Sequence, residues 1–331
     1  MPTVVISPEA FYKIDTPFVA TLNEAGFDVR YPSYKEFTRG LDGDEKTIEE
    51  LSGAVAVIAG GEFLTPNVIE NLPDLRIISR CGVGYDRVDV PAATAKGIPV
   101  TITPTANHRA VAELTMALLF GVTKQTVLND HRVRSGQWTV ELSKPIRDNT
   151  FGLVGLGRIG RSTALCAKAL GMKLIATEMY PDEDFVCEHE VELVDFDTLL
   201  SRSDFLSVHC PLNDETRGMF NKDVFSRMKL GSVFLNTARG GLVVETDLID
   251  ALNSGHLSGA GLDVFEQEPP DVANPLFQLN NVVCTPHIGG TDERSMMDMG
   301  IECADVIIRL SRNDWPGGAV VNDELSENWK W

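Results

Sequence analysis

The sequence predicts an α/β protein made of two doubly wound parallel-sheet domains. Three observations carry that expectation. Short apolar runs rich in β-branched residues recur from end to end, separated by amphipathic stretches. Near-continuous apolar strands alternating with helices imply parallel sheets covered on both faces. The series breaks once, between residues 107 and 149, where no convincing strand occurs, and 331 residues exceed one ordinary core.

The first series comprises TVVIS (3–7), FDVRY (27–31), AVAVIAG (54–60), LRIISR (75–80) and PVTIT (99–103), with amphipathic segments at 17–25, 66–71 and 90–96. HRAVAELTMALLFGVTKQ then reads as one long helix with Asn107 as its N-cap, followed by a polar stretch around Trp138. The second series is FGLVG (151–155), KLIATE (173–178), FLSVHC (205–210), SVFLNTA (232–238), GAGLDV (259–264) and NVVCTP (281–286). Because that sheet is then complete, the helix expected at 293–310 should return to the first domain. The expected domains are 1–104 plus 293–331, and 105–292. No function is read into the tail after Asn322.

Composition excludes several classes. A net charge of −19 with no basic stripe argues against nucleic acid as a partner. No apolar run reaches the roughly 18–20 residues that cross a bilayer. The N-terminal MPTVVISPEA lacks a basic region and reads as a first strand, not a signal peptide. Six cysteines without C-x-x-C spacing suit reduced thiols in a cytoplasm and make a metal site unexpected.

The stretch LVGLGRIG places Gly155, Gly157 and Gly160 between a strand and a helix, and the next strand ends in Glu178, 23 residues after Gly155. In such a unit the first glycine permits a tight turn, and the second lets backbone approach a pyrophosphate. The third lets helix and strand pack, and the acid holds the ribose hydroxyls. Nine acidic residues and no Lys or Arg lie between 178 and 197, so a 2′-phosphate would meet like charge, which favours NAD over NADP. Beyond Glu178 the acids read as a solvated face.

Three further segments follow strands of the second sheet: NTARGG with Arg239, LDVFEQEPP with Glu268 and TPHIGG with His287. Ligands of open parallel sheets bind beyond the carboxyl ends of strands, so these side chains can converge. His209 in SVHCPL reads as a strand-end residue beside the cofactor. The other histidines, at 108, 131, 189 and 256, carry no signal.

From about Ile77 to Ile308 the motifs ISRCGVGYDRVD, AVAELTMALLF, VGLGRIGR, HCPLNDETRG, NTARGGLVVE, LDVFEQEPP and TPHIGG occur in an order and spacing that resemble the D-isomer-specific 2-hydroxyacid dehydrogenase family. The flavour is that of its phosphoglycerate dehydrogenase and hydroxypyruvate reductase branch, in a short form without a regulatory C-terminal domain. The resemblance implies a Rossmann nucleotide-binding domain, a flavodoxin-like substrate domain and NAD as cofactor. It implies a catalytic set of His287 as proton donor or acceptor, Glu268 as the carboxylate that holds the imidazole and stabilises its protonated form, and Arg239 as the fork that binds the substrate carboxylate.

For the cofactor it implies contacts from Gly155, Gly157, Arg158, Ile159 and Gly160 in the turn, with Glu178. Further contacts come from Cys210, Pro211, Thr237, Ala238 and Arg239 at strand ends, and from Asp263, His287 and Gly289. Substrate contacts are expected from Arg80, from backbone at Val83 and Gly84, and from Arg239. Two further basic positions of animal-type phosphoglycerate dehydrogenases match Gly60 and Val140 here. The resemblance thus implies a small 2-hydroxy or 2-oxo acid as substrate, either 3-phosphoglycerate or, for a hydroxypyruvate or glyoxylate reductase, one without phosphate. A homodimer through 107–149 is expected, because AVAELTMALLF is apolar around much of its circumference and the family pairs nucleotide domains there. A reading from another class is an NAD-sensing, corepressor-like binding protein.

Overall fold

The computed structural model describes all 331 residues, which divide into two units, 1–107 with 290–331, and 108–289. The first unit holds five strands, β1 (Thr3–Ile6), β2 (Asp28–Arg30), β3 (Ala54–Ala59), β4 (Ile77–Arg80) and β5 (Val100–Thr101). All pairs are parallel and the order is β2-β1-β3-β4-β5. That is the flavodoxin-like order, with its topological switch between β1 and β3.

Alternation along the strands feeds two apolar layers. Val4, Ile6, Ala56 and Ile58 pack with Phe11, Phe18 and Leu22 on one face, while Val5, Val57 and Ile78 pack with Leu51, Val68 and Ile69 on the other. The helix Glu293–Ser311 contributes Cys303, Ala304, Ile307 and Leu310 to the first layer, packing on the helix Pro17–Glu24 and on β3 and β4. Asp292 caps it by accepting the Ser295 N–H at 2.6 Å.

The chain after this helix folds back on the same unit. Asn322 is buried beside β5, where its Oδ1 accepts the Val100 N–H at 2.8 Å and its Nδ2 donates to the Ile98 carbonyl at 2.9 Å. Trp331 meets Phe27 edge-on, and Trp329 meets Trp315.

The second unit holds β6 (Thr150–Val154), β7 (Lys173–Thr177), β8 (Glu192–Leu193), β9 (Phe205–Val208), β10 (Ser232–Asn236), β11 (Leu257–Leu262) and β12 (Val282–Cys284). The sheet is parallel, in the order β8-β7-β6-β9-β10-β11-β12. Counted from β6 this is the 3-2-1-4-5-6 dinucleotide-binding order with a seventh strand added. The central strands β9 and β10 are buried throughout, as near-continuous apolar runs require.

The linking segment differs from expectation. Its first helix, His108–Thr123, ends before a left-handed Gln125, and a second helix, Thr126–Arg134, leaves at 57°. Asn107, expected to cap the first helix, has its side-chain oxygen buried with no hydrogen-bond partner. The apolar circumference of His108–Thr123 is consumed within the unit, against the helix Arg158–Ala169 and strands β10 to β12. The second helix buries nothing, and beyond it Trp138, Val140 and Leu142 are 86%, 92% and 99% exposed.

The acidic run after Glu178 does more than face solvent. Asp182 and Asp195 cap the helices Glu183–His189 and Phe196–Arg202. Glu192 pairs with Arg202 in a two-point contact, and Asp197 pairs with Arg227. No single helix in the chain is long and apolar enough to cross a membrane.

Candidate active site

The glycine turn stands where β6 meets the helix Arg158–Ala169. Gly155 is left-handed at φ +97, and a Cβ there would lie 2.9 Å from the His209 carbonyl. A Cβ on Gly160 would lie 2.3 Å from the Gly155 carbonyl oxygen, so turn and helix meet backbone to backbone. Gly157 caps the helix and has nothing within 4 Å of its Cβ direction. Each glycine has the environment its place in the motif requires, and a helix N-terminus with open backbone approach suits a pyrophosphate.

Glu178 follows β7. Its Oε2 accepts the Leu156 N–H at 2.6 Å and its Oε1 accepts the Tyr180 N–H at 3.1 Å. The acid thus fixes the glycine turn. Across the switch, His209 follows β9, its N–H bonded to the Val154 carbonyl and its Nε2 2.9 Å from Ser207 Oγ. Burial keeps it neutral, pushing its pKa down to about 3, and pushes the neighbouring Cys210 thiol up to about 11.

Arg239, Glu268 and His287 follow β10, β11 and β12, which are adjacent. Asn236, buried at the end of β10, accepts the Ala238 N–H at 3.0 Å and donates to the Arg239 carbonyl at 2.9 Å. This folds Thr237–Ala238–Arg239 into a short turn, with Thr237 Oγ1 3.0 Å from Thr115 Oγ1. A Cβ on Gly240 would lie 1.8 Å from the Phe265 carbonyl oxygen, so the Arg239 loop runs directly against the loop carrying Glu268.

His287 Nδ1 lies 2.7 Å from Glu268 Oε2, and Glu268 Oε1 accepts the Phe265 N–H at 3.2 Å. His287 is held at φ +55, a left-handed conformation uncommon outside glycine. Asp263 accounts for that. Its Oδ1 accepts the Thr285 hydroxyl at 2.6 Å and the Ile288 N–H at 2.9 Å, and its Oδ2 accepts the Gly289 N–H at 2.8 Å. Burial raises the Asp263 carboxyl above its ordinary range, against the opposing pull of those donors.

Arg80, Val83 and Gly84 belong to the first unit, at the end of β4. Arg80 Nε donates to the Gly84 carbonyl at 3.1 Å, and Thr103 Oγ1 accepts the Gly82 N–H at 3.0 Å, so the loop is closed on itself. Of the two positions matched to basic residues, Val140 is almost fully exposed and Gly60 is packed against Thr38. Sequence reasoning missed the supporting residues Asn236 and Thr285. A polar residue ending an otherwise apolar strand was the available signal for Asn236.

A glycine turn at the switch of a 3-2-1-4-5-6 sheet, with an acid ending the next strand, defines a dinucleotide-binding protein. Comparison narrows this: residues 116–289 match the model for D-isomer specific 2-hydroxyacid dehydrogenase, NAD binding domain, and the chain belongs to that family. A hydroxypyruvate reductase of Thermotoga maritima is 39% identical over 276 residues, covering 81% of this chain and 88% of that protein. A D-3-phosphoglycerate dehydrogenase of Archaeoglobus fulgidus is 36% identical over 271 residues, covering 81% of this chain but 51% of that one. The chain spans about half the length of that relative. A crystal structure of a Thermus thermophilus protein aligns with a TM-score of 0.85 at 31% identity, covering 96% of this chain and 99% of that one.

Proposed function

We propose that the protein interconverts small 2-hydroxy and 2-oxo acids as an NAD-dependent oxidoreductase. The observation that carries this is the His287–Glu268 contact beyond the strand ends of the dinucleotide-binding unit. The cofactor would supply the hydride chemistry, its reduced form giving a hydride in reduction and its oxidised form taking one in oxidation. Gly155, Gly157 and Gly160, with Arg158 and Ile159 at the helix start, would hold its pyrophosphate, and Glu178 its ribose. Cys210, Pro211, Thr237, Ala238 and Gly289 are assigned to the rest of the cofactor.

With Nδ1–H donating to Glu268, the imidazole exchanges its reactive proton at Nε2. In reduction the imidazolium protonates the carbonyl oxygen, and in oxidation the neutral ring takes the hydroxyl proton. Arg239 binds the substrate carboxylate and polarises the carbonyl. Asp263 has both carboxylate oxygens committed to the Thr285–Gly289 turn, so its leading role is to position His287. In the first unit, Arg80 and the backbone of Val83 and Gly84 form the substrate loop.

The exposed Val127, Val133, Trp138, Val140 and Leu142 support a homodimer that uses the 126–142 part of the segment. Six free thiols fit a cytoplasmic setting. Oxidation of NADH with a panel of 2-oxo acids tests the reading. Turnover of hydroxypyruvate or glyoxylate is expected, whereas NADH binding without turnover of any 2-oxo acid would point to a binding protein.

A further inference from the structure

Ligands of open parallel sheets enter the crevice at the topological switch, which in the first unit lies between β1 and β3. Here a closed polar cluster fills that place. Ser7 follows β1, Gly60 and Glu62 follow β3, and Arg80 ends β4. Ser7 and Glu62 are each 1% exposed. The Gly60 N–H donates to Ser7 Oγ at 2.8 Å and to Glu62 Oε2 at 3.0 Å. Because Ser7 Oγ accepts there, its own proton goes to Glu62 Oε1, at 2.6 Å. Both oxygens of Glu62 therefore accept hydrogen bonds, an arrangement that accommodates a carboxylate.

A cation added at this place would find no room. A Cβ on Gly60 would lie 1.8 Å from Thr38 Oγ1, so a lysine or arginine cannot stand there unless Thr38 moves. The other cations around these loops are engaged: Arg87 donates to the Gly61 carbonyl and stacks over Phe63, and Arg39 pairs with Glu9 at 3.0 Å. Burial raises the Glu62 carboxyl above its ordinary range, and the Ser7 hydroxyl and the Arg80 charge oppose that rise. Arg80 pairs in register with Ala59 on the strand that leads into Glu62, while its Nε ties the substrate loop at Gly84.

We infer that Glu62 determines substrate charge: it offsets Arg80 and excludes a phosphate monoester, leaving a short 2-oxo acid whose only anionic group is its carboxylate. This rests on the oxidoreductase reading above. A phosphate monoester carries close to two negative charges at neutral pH, and a buried carboxylate repels it in a region where water screens little.

The test uses the purified full chain with NADH and two substrates differing only in phosphate, hydroxypyruvate and 3-phosphohydroxypyruvate. The parent should favour hydroxypyruvate by about 100-fold or more in kcat/KM, with the difference in KM. Glu62→Gln keeps the shape and removes the charge, and should narrow that ratio about tenfold by lowering KM for the phosphate ester. A merely structural role would change both substrates alike and leave the ratio fixed. Equal use of the two by the parent overturns the inference even if the variant does not fold, and so does an unchanged ratio in a folded variant. Failure to reduce any 2-oxo acid would instead overturn the oxidoreductase reading and this inference with it.

Discussion

Nδ1 of His287 stands 2.7 Å from Oε2 of Glu268, and the contact is fixed from both sides. The Phe265 N–H orients the carboxylate, while Asp263 gathers Thr285, Ile288 and Gly289 around the histidine's left-handed backbone. A non-glycine residue persists in that conformation only where its surroundings over-determine it. Those bonds fix the backbone from which the imidazole is presented to Glu268.

Glu268→Gln should move the pH profile of reduction. Glutamine preserves the size of the side chain but removes the charge that favours imidazolium. Reduction draws on the protonated ring, so its kcat/KM limb should retreat to lower pH. The pH dependence of hydroxypyruvate reduction, read for parent and variant, checks this. An unmoved limb would leave Glu268 as a scaffold for the loop and nothing more.

Glu178→Ala should narrow the preference for NAD over NADP. In the proposed role the acid would repel a 2′-phosphate and hold the ribose hydroxyls. Because it also accepts the Leu156 N–H at 2.6 Å, NAD binding should weaken through the turn as well. Kinetics with both cofactors decide the matter, and equal use of both by the parent would contradict the assignment.

His209 gives a prediction about stability. Its folded pKa lies near 3, against an ordinary 6.5, because burial penalises the charged ring. The unfolded chain therefore binds one more proton between those values. Stability rises with pH across that window and is lost as pH falls. In His209→Gln the slope of unfolding free energy between pH 6 and 4 should fall by about one proton. Identical slopes would mean that the folded protein admits a charged His209.

Both parallel sheets were legible in the sequence because apolar strands of four to six residues leave an unmistakable pattern, as in AVAVIA and SVFLN. Strand β8 was not, since Glu192–Leu193 is a two-residue edge among acids, and acids are poor strand formers. The second helix, Thr126–Arg134, was also hidden, because it buries no residue and so carries no apolar stripe. Arg239, Glu268 and His287 could be picked out by motif, but the clamp by Asp263 depends on a turn that only the folded sheet brings to it. The burial of Glu62 was invisible for the same reason: EFLTP looks like an ordinary surface loop.

The exposed arm predicts assembly. Trp138→Ser combined with Leu142→Ser removes apolar surface that buries nothing within the chain, so the fold should survive while the dimer weakens. Light scattering at micromolar concentration should give a dimer for the parent and a monomer for the variant. A monomeric parent would show that these side chains serve another purpose.

In the proposed mechanism His287 moves the proton. In His287→Ala, kcat for 2-oxo acid reduction should fall by about 10²–10⁴, the usual worth of a positioned acid or base. NADH binding, followed by fluorescence on the same samples, should change little, because the imidazole acts on the substrate oxygen. Reduction at the parent rate with normal NADH binding would make His287 a structural histidine and the mechanism wrong.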